Sequence, residues 1–155
     1  MVLVRAPLAG RVGALASAPD AVFASGLLGE GMVLDPLDAG ALVHAGVIEA
    51  LAPVDGILAA VQPHAYAVQP EDGPAILVHL GIDTVSLAGE GFAPLAERGA
   101  LLRAGDGVIA WDPTAITDGG LAALVPVIAM QGSGIRLLAP EGSVVAAGDS
   151  LFEAD

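Results

Sequence analysis

Short apolar runs separated by glycine and proline make up most of the chain. The runs are about four to eight residues long and rich in Val, Ile and Leu, as in GILAAV, AILVHLGI, GVIAW and VPVIAM. Runs of this length between turn-forming residues are typical of strands, and many of them in succession favour a β-sandwich or barrel. The sequence therefore predicts an all-β fold, an antiparallel β-sandwich or flattened barrel with short helical turns.

Helical periodicity is scarce. Residues 94–98 are predicted to form one short helix, because proline favours the first helical turn and Gly99 follows the segment. A second helical turn is expected in PTAITDGGLAALV, residues 113–125. Residues 35–50 are rich in alanine and lack a strand pattern, which predicts a loop or an irregular hairpin. No linker-like stretch divides the chain, so residues 1–155 are expected to form one domain.

A hairpin is predicted around the turn QPEDGP, residues 69–74. If the flanking strands AYAV and AILVHL pair, residues whose numbers sum to about 143 lie opposite each other, which places His64 opposite His79. Their Cβ atoms would then be about 5 Å apart. A register shift of one residue would put the two side chains on opposite faces. The third histidine, His44, lies in the loop-like segment and is given no role.

Two adjacent imidazoles allow three interpretations, which the residues alone leave open. The rings could be packed structural residues. They could bind zinc, with Asp83 as a third ligand. They could also accept a phosphoryl group, because an imidazole near neutrality has one unprotonated, nucleophilic nitrogen and the second ring can donate an N–H to the anion.

Composition excludes several kinds of chemistry. The chain has no cysteine and no lysine, which excludes disulfides, thiol catalysis, Schiff-base lysines and a P-loop lysine. A net charge of −13 makes nucleic acid an unsuitable partner and a basic protein a natural one. No apolar run reaches the roughly 20 residues of a membrane span. A cytoplasmic protein without direct membrane insertion is therefore expected.

Five motifs occur in the order seen in one known family: PDAVFASGLLGEGMVL (19–34), APVDGIL (52–58), HAYAV (64–68), VHLGIDTVSLAGEGF (78–92) and GDGVIAWD (105–112). They resemble the glucose-type IIA phosphocarrier of the bacterial sugar phosphotransferase system over nearly the whole chain. The combination of VHLGIDTV and GEGF with HA before an aromatic residue is highly specific. The resemblance implies an antiparallel β-sandwich with a shallow apolar depression that holds two histidines.

The resemblance also implies roles for the two histidines. His79 would accept a phosphoryl group from the phosphorylated carrier protein HPr and pass it to a cysteine on the IIB domain of a sugar permease. His64 would hydrogen-bond the phosphoryl group without being phosphorylated itself. No cofactor is implied, although the two rings could hold zinc adventitiously. The alternatives to a carrier are a two-histidine metal-binding β domain and a regulatory binding module that keeps this fold.

Residues around the histidines are expected to support transfer and docking. Asp20 and Asp83 could receive an arginine of the donor. Gln62 stands where the family commonly has threonine, so it would orient the imidazole through its amide unless the orientation comes from elsewhere. Pro63 has no backbone N–H to donate, and residues 38–50 look longer than the usual connection. Four apolar side chains would exclude water and limit hydrolysis: Phe23, Val33, Leu77 and Val85.

Overall fold

The computed structural model of the chain describes residues 1–40, 46–132 and 134–155. Fourteen strands lie within these ranges, and every pair of neighbours is antiparallel. The strands are β1 Val2–Arg5, β2 Gly10–Ala14, β3 Gly29–Asp35, β4 Ile48–Leu51, β5 Gly56–Gln62, β6 Ala65–Gln69, β7 Ile76–His79, β8 Phe92–Pro94, β9 Leu101–Leu102, β10 Gly107–Trp111, β11 Val125–Met130, β12 Ile135–Leu137, β13 Val144–Val145 and β14 Ser150–Ala154. The predicted antiparallel all-β fold is confirmed.

One large sheet carries most of the strands. Its eight strands follow the order β13-β2-β3-β11-β7-β6-β5-β9, and two three-stranded sheets, β1-β14-β12 and β4-β10-β8, complete the fold. Side chains alternate between the faces of a strand, so β3 sends Met32 and Leu34 into the main core and Val33 to the opposite face. On that opposite face Val33 belongs to a small second cluster with Phe23 and Ile128.

Among the residues that the structure describes, two short α-helices interrupt the strands, α1 Ala21–Ala24 and α2 Pro113–Asp118. Each begins after an aspartate whose side chain accepts backbone N–H groups of the first turn, Asp20 for α1 and Asp112 for α2. The helical turn predicted in residues 113–125 is confirmed by α2, whereas α1 was not predicted. Single turns of 3₁₀ helix occur at Leu15–Ser17 and Thr84–Leu87.

The helix predicted at residues 94–98 is wrong. These residues, all described by the structure, contain no helix: Pro94 ends β8, which pairs with β10. Leu95 N then donates to Val108 O at 2.7 Å, and Gly99 N donates to Leu58 O at 2.8 Å. The backbone groups that a helix would satisfy locally are instead satisfied by neighbouring strands.

The loop predicted at residues 35–50 is partly wrong, because β4 begins at Ile48 within it. β4 pairs with β10, with Ile48 opposite Trp111. The strand is only four residues long, so its own pattern is too short to identify it. Residues 41–45, with His44 among them, lie outside the described residues.

The hairpin of β6 and β7 around residues 69–74 is confirmed, but its predicted register is wrong by one residue. His79 lies opposite Ala65, not opposite His64. His64 precedes β6, in the two-residue turn that joins it to β5. Because a turn residue does not follow the alternation of a strand, the shifted register does not by itself send the His64 ring to the far face.

The two ends of the chain meet. β1 pairs with β14, with Val2 opposite Ala154. The terminal ammonium of Met1 lies 3.7 Å from the carboxylate of Asp155. Within the described ranges, no helix is both long and apolar enough to cross a membrane.

Replacing Tyr66 by phenylalanine is expected to lower the free energy of unfolding by about 1 kcal/mol. Tyr66 is buried, and its Oη donates to the Leu51 carbonyl at 2.6 Å, so the variant leaves that carbonyl without its partner. Urea unfolding followed by the fluorescence of Trp111 measures the loss. Val144→Thr, a similar-sized change on a partly exposed side chain, serves as the control. An unchanged midpoint for Tyr66→Phe would contradict the assignment.

Candidate functional site

Two histidines lie side by side at one end of the central hairpins. His79 is the last residue of β7, and His64 lies in the turn between β5 and β6. Their ring centroids are 5.0 Å apart with an angle of 71° between the planes. The backbone also joins the two segments, because Leu80 N donates to His64 O at 2.8 Å. The predicted proximity of the two rings is therefore confirmed.

A backbone carbonyl orients the His79 ring. Nδ1 of His79 lies 2.7 Å from the carbonyl oxygen of Gly81. A carbonyl can only accept a hydrogen bond, so Nδ1 must carry the hydrogen and donate it. In the neutral ring this leaves the lone pair on Nε2. The geometry thus selects Nε2 of His79 as the nucleophilic nitrogen.

The turn that presents the Gly81 carbonyl is held from both sides. Thr84 Oγ1 donates to Leu80 O at 2.7 Å, and Ile82 N donates to Ala122 O at 2.9 Å. Gly81 itself has a φ of 83°, and a Cβ atom built there would lie 2.6 Å from Thr84 Cγ2. Only glycine fits both this φ and this contact. The acceptor for His79 is therefore part of a rigid turn.

An apolar cluster forms the floor beneath the rings. The Phe23 ring meets His79 edge-on, with centroids 4.9 Å apart and planes at 61°. Phe23 and Val33 are buried, Leu77 is half-buried, and Val85 is 66% exposed. Of the four apolar residues predicted around the site, Val85 is thus the exposed one. Phe23 and Val33 lie below the surface that a partner would touch.

The predicted polar residues occupy different positions around the site. Asp83 is exposed and Asp20 half-buried, and the charges of both act on His79. One carboxylate oxygen of Asp20 also caps α1. The exposed Gln62 side chain makes no hydrogen bond within the described residues. The orientation of His79 therefore comes from Gly81, and a role for Gln62 stays a prediction.

Burial lowers the pKa of both histidines. For His79, burial is the largest cause, and the nearby charge of His64 lowers the pKa further. The hydrogen bond to Gly81 and the charges of Asp20 and Asp83 oppose this shift but do not cancel it. The pKa of His64 is lowered by burial. Both rings are therefore mainly neutral near pH 7, as a nucleophile and a neutral N–H donor require.

Metal ligands do not gather at this site beyond the two histidines. In the described ranges, no three side chains of His, Asp or Glu form a group that could hold a metal ion. Asp83 therefore does not complete the zinc site considered from the sequence. Zinc held by His64 and His79 alone remains a prediction.

Sequence reasoning missed four residues of this region. The Gly81 carbonyl and its brace Thr84 were not identified, although a glycine two positions after His79 signals a positive φ. Val22 and Leu27, in α1 and just after it, are large apolar side chains that are 49% and 79% exposed. They follow the Asp20 that caps α1, and their exposure could not be read from the sequence.

Three comparisons relate the chain to known proteins. Residues 2–135 match the family described as phosphoenolpyruvate-dependent sugar phosphotransferase system, EIIA 1. The chain is 32% identical over 137 residues to the PTS system glucose-specific EIIA component of Oceanobacillus iheyensis, which covers 87% of this chain and 78% of that protein. It is 38% identical over 130 residues to the PTS system glucose-specific EIIBCA component of Corynebacterium glutamicum, covering 83% of this chain but only 18% of that longer protein.

A solved structure shares the fold. Glucose permease IIA from Mycoplasma capricolum matches with a TM-score of 0.84 and 29% sequence identity, covering 97% of this chain and 94% of that one. The match thus covers nearly the whole of both chains.

Replacing Thr84 by valine tests the brace of the Gly81 turn. Thr84 is the one buried polar residue in the described ranges, and valine keeps its shape but leaves the Leu80 carbonyl without a donor. We expect a loss of about 1–3 kcal/mol in unfolding free energy, and a weaker His79 Nδ1–H signal in ¹⁵N NMR of the ring. Thr84→Ser retains the hydroxyl and should keep that signal. Equal spectra for the two variants would contradict this role.

Proposed function

The chain belongs to the EIIA 1 family of the phosphoenolpyruvate-dependent sugar phosphotransferase system, and we propose that His79 is the residue on which it carries the phosphoryl group. Its activity is that of a phosphotransferase, which relays phosphoryl groups toward the IIB domain in sugar uptake. One observation carries the assignment of His79: the Nδ1 hydrogen bond to Gly81 leaves Nε2 unprotonated beside a second imidazole.

Acceptance is a single displacement at phosphorus. The Nε2 lone pair of His79 attacks the phosphoryl group on the donor, the donor's bond to phosphorus breaks, and a new P–N bond forms. The ring gains positive character as the bond forms. The Gly81 carbonyl, already accepting the Nδ1 hydrogen, stabilises that charge without rearrangement.

His64 is the electrostatic partner in this step. Its ring, 5.0 Å from that of His79, is close enough for an N–H to reach an oxygen of a phosphoryl group on Nε2. The hydrogen bond from His64 must stabilise the phosphoryl group without trapping it, because the group has to leave again. A single hydrogen bond from a neutral imidazole meets both needs, which supports a bracing role for His64 and no phosphorylation of it.

The apolar floor lengthens the lifetime of the phosphorylated form by limiting hydrolysis. Phe23 covers one edge of His79 and Leu77 lies beside it in the same strand. Water that cannot approach from below can attack the phosphoryl group only from the open side, the side a partner covers during transfer. Slow hydrolysis between the two transfers is the expected result.

We propose that HPr docks on the rim of this depression. The exposed apolar side chains Val22, Leu27 and Val85 offer contact area, and the carboxylates of Asp20 and Asp83 offer partners for an arginine. The net charge of −13 favours a basic partner. The next acceptor would be a cysteine on IIB, since this chain has no cysteine of its own. A cytoplasmic location is part of this proposal.

Mass spectrometry after incubation with phosphoenolpyruvate, the first enzyme of the pathway and HPr tests the assignment. The wild-type chain should gain the mass of one phosphoryl group and His79→Ala should gain none. His64→Ala should still gain it, at a rate lower by about 10²–10³. His44→Ala, which changes the remaining histidine, is the matched control and should behave as wild type.

Phosphorylation of His79→Ala at the wild-type rate would refute the assignment. Stoichiometric zinc in the purified protein together with no mass gain would instead favour a metal-binding role for the two rings.

The lowered pKa of His79 predicts a particular pH dependence. The reactive form is the neutral ring, so acceptance is lost as the pH falls through the pKa of His79. Because burial lowers that pKa, the loss should occur below the ordinary imidazole pKa of about 6.5. In His64→Ala, one lowering charge and some burial are removed, so the loss should move to higher pH. NMR titration of the His79 ring measures both shifts.

Titration of His79 in the wild-type chain at or above the ordinary imidazole value would contradict this account of the site.

A further inference from the structure

We propose that Pro63 is a positioning residue for the transfer: it holds the His64 ring against His79 by fixing the turn between β5 and β6 and by packing against the backbone at Gly89. This inference rests on the proposed function, in which the second imidazole braces the phosphoryl group on the first.

The turn around Pro63 has an uncommon geometry for its length. Pro63 and His64 are the two residues between the paired strand ends Gln62 and Ala65. The common two-residue hairpin turns, types I′ and II′, need a positive φ at the first position, which the proline ring forbids. His64 is not among the residues with positive φ either, which excludes a type II turn. The turn is therefore one with negative φ at both central positions, such as type I.

This turn, rather than the strand ladder, aims the His64 ring. Ala65 is the residue opposite His79, so strand alternation alone would send the residue before it to the other face of the sheet. A turn without positive φ does not match the twist of the flanking strands as types I′ and II′ do, so the strand ends are splayed. The His64 side chain therefore departs from the alternation of the strand, and its ring centroid lies 5.0 Å from that of His79.

The loop before β8 supports the turn from outside. Gly89 has a φ of 90°, and a Cβ atom built on it would lie 3.3 Å from Pro63 Cγ and 3.5 Å from Pro63 Cβ. The backbone at Gly89 therefore lies beside the proline ring, with little space between them. The ring is half-buried there, and its fixed φ restricts the direction in which the chain enters His64.

Without the proline, the first turn position regains the positive φ values of the common hairpin turns. The His64 ring would then sample orientations away from His79, while the ladder of β5 and β6 would still form. The substitution is therefore expected to lower the transfer rate and the ring contact while the pairing of β5 and β6 is retained.

The test compares Pro63→Gly and Pro63→Ala with Pro140→Ala. Pro140 is an exposed proline in a turn next to β13, which lies four strands from β7 in the large sheet. Glycine should slow phosphoryl acceptance about tenfold through lost preorganisation. It should also weaken the nuclear Overhauser effect between the two imidazole rings. Alanine, which disfavours positive φ, should give an intermediate loss in both measurements, and Pro140→Ala should change neither.

The same substitution in a His64→Ala variant shows whether Pro63 acts through the His64 ring. In His64→Ala, adding Pro63→Gly should cause no further loss of rate, because no ring remains to be positioned. An equal loss with and without His64 would overturn the inference, as would a wild-type rate and wild-type ring contact in Pro63→Gly. Failure of the wild-type chain to be phosphorylated would count against the proposed function alone, since the ring contact still reports on Pro63.

Discussion

The hydrogen bond between His79 Nδ1 and the Gly81 carbonyl is the constraint on which the chemistry of this protein depends. It decides which nitrogen carries the lone pair, and it fixes the orientation of the ring on which we propose the phosphoryl group is carried. The two partners are only two residues apart, and the turn between them is held both locally, by Thr84, and by the distant backbone at Ala122. The large sheet needs only to bring a second imidazole within reach.

The two imidazoles are supplied in different ways. His79 ends a central strand with neighbours on both sides, so the sheet determines its place. His64 lies in a turn outside the paired residues of β5 and β6, so the geometry of that turn sets the direction of its side chain. This division explains why the contact between the rings was predicted while the register behind that prediction was wrong by one residue. β6 is buried along four consecutive positions, so it has no alternation of apolar and polar residues from which a register could be inferred.

Patterns that act locally were predicted from the sequence, and features set by long-range pairing were not. The run of short apolar segments predicted the antiparallel all-β fold, and the helical turn expected in residues 113–125 is α2. The helix inferred from Pro94 does not form, because that proline ends a strand for which β10 offers backbone partners. At the site, the two histidines have a recognisable motif. A main-chain carbonyl such as that of Gly81 has no sequence motif of its own. The one sign of it is a glycine, the residue type that readily adopts the positive φ found there.

The pairing of the two chain ends determines where any attached polypeptide would lie relative to the two histidines. The ends lie near Gly73, since a Cβ atom built there would be 3.0 Å from Val2 Cγ1. That residue precedes the start of β7, whereas His79 is where β7 stops. Polypeptide fused to either terminus would thus emerge at the pole away from the imidazoles. An added segment at either terminus would therefore leave the two histidine rings uncovered.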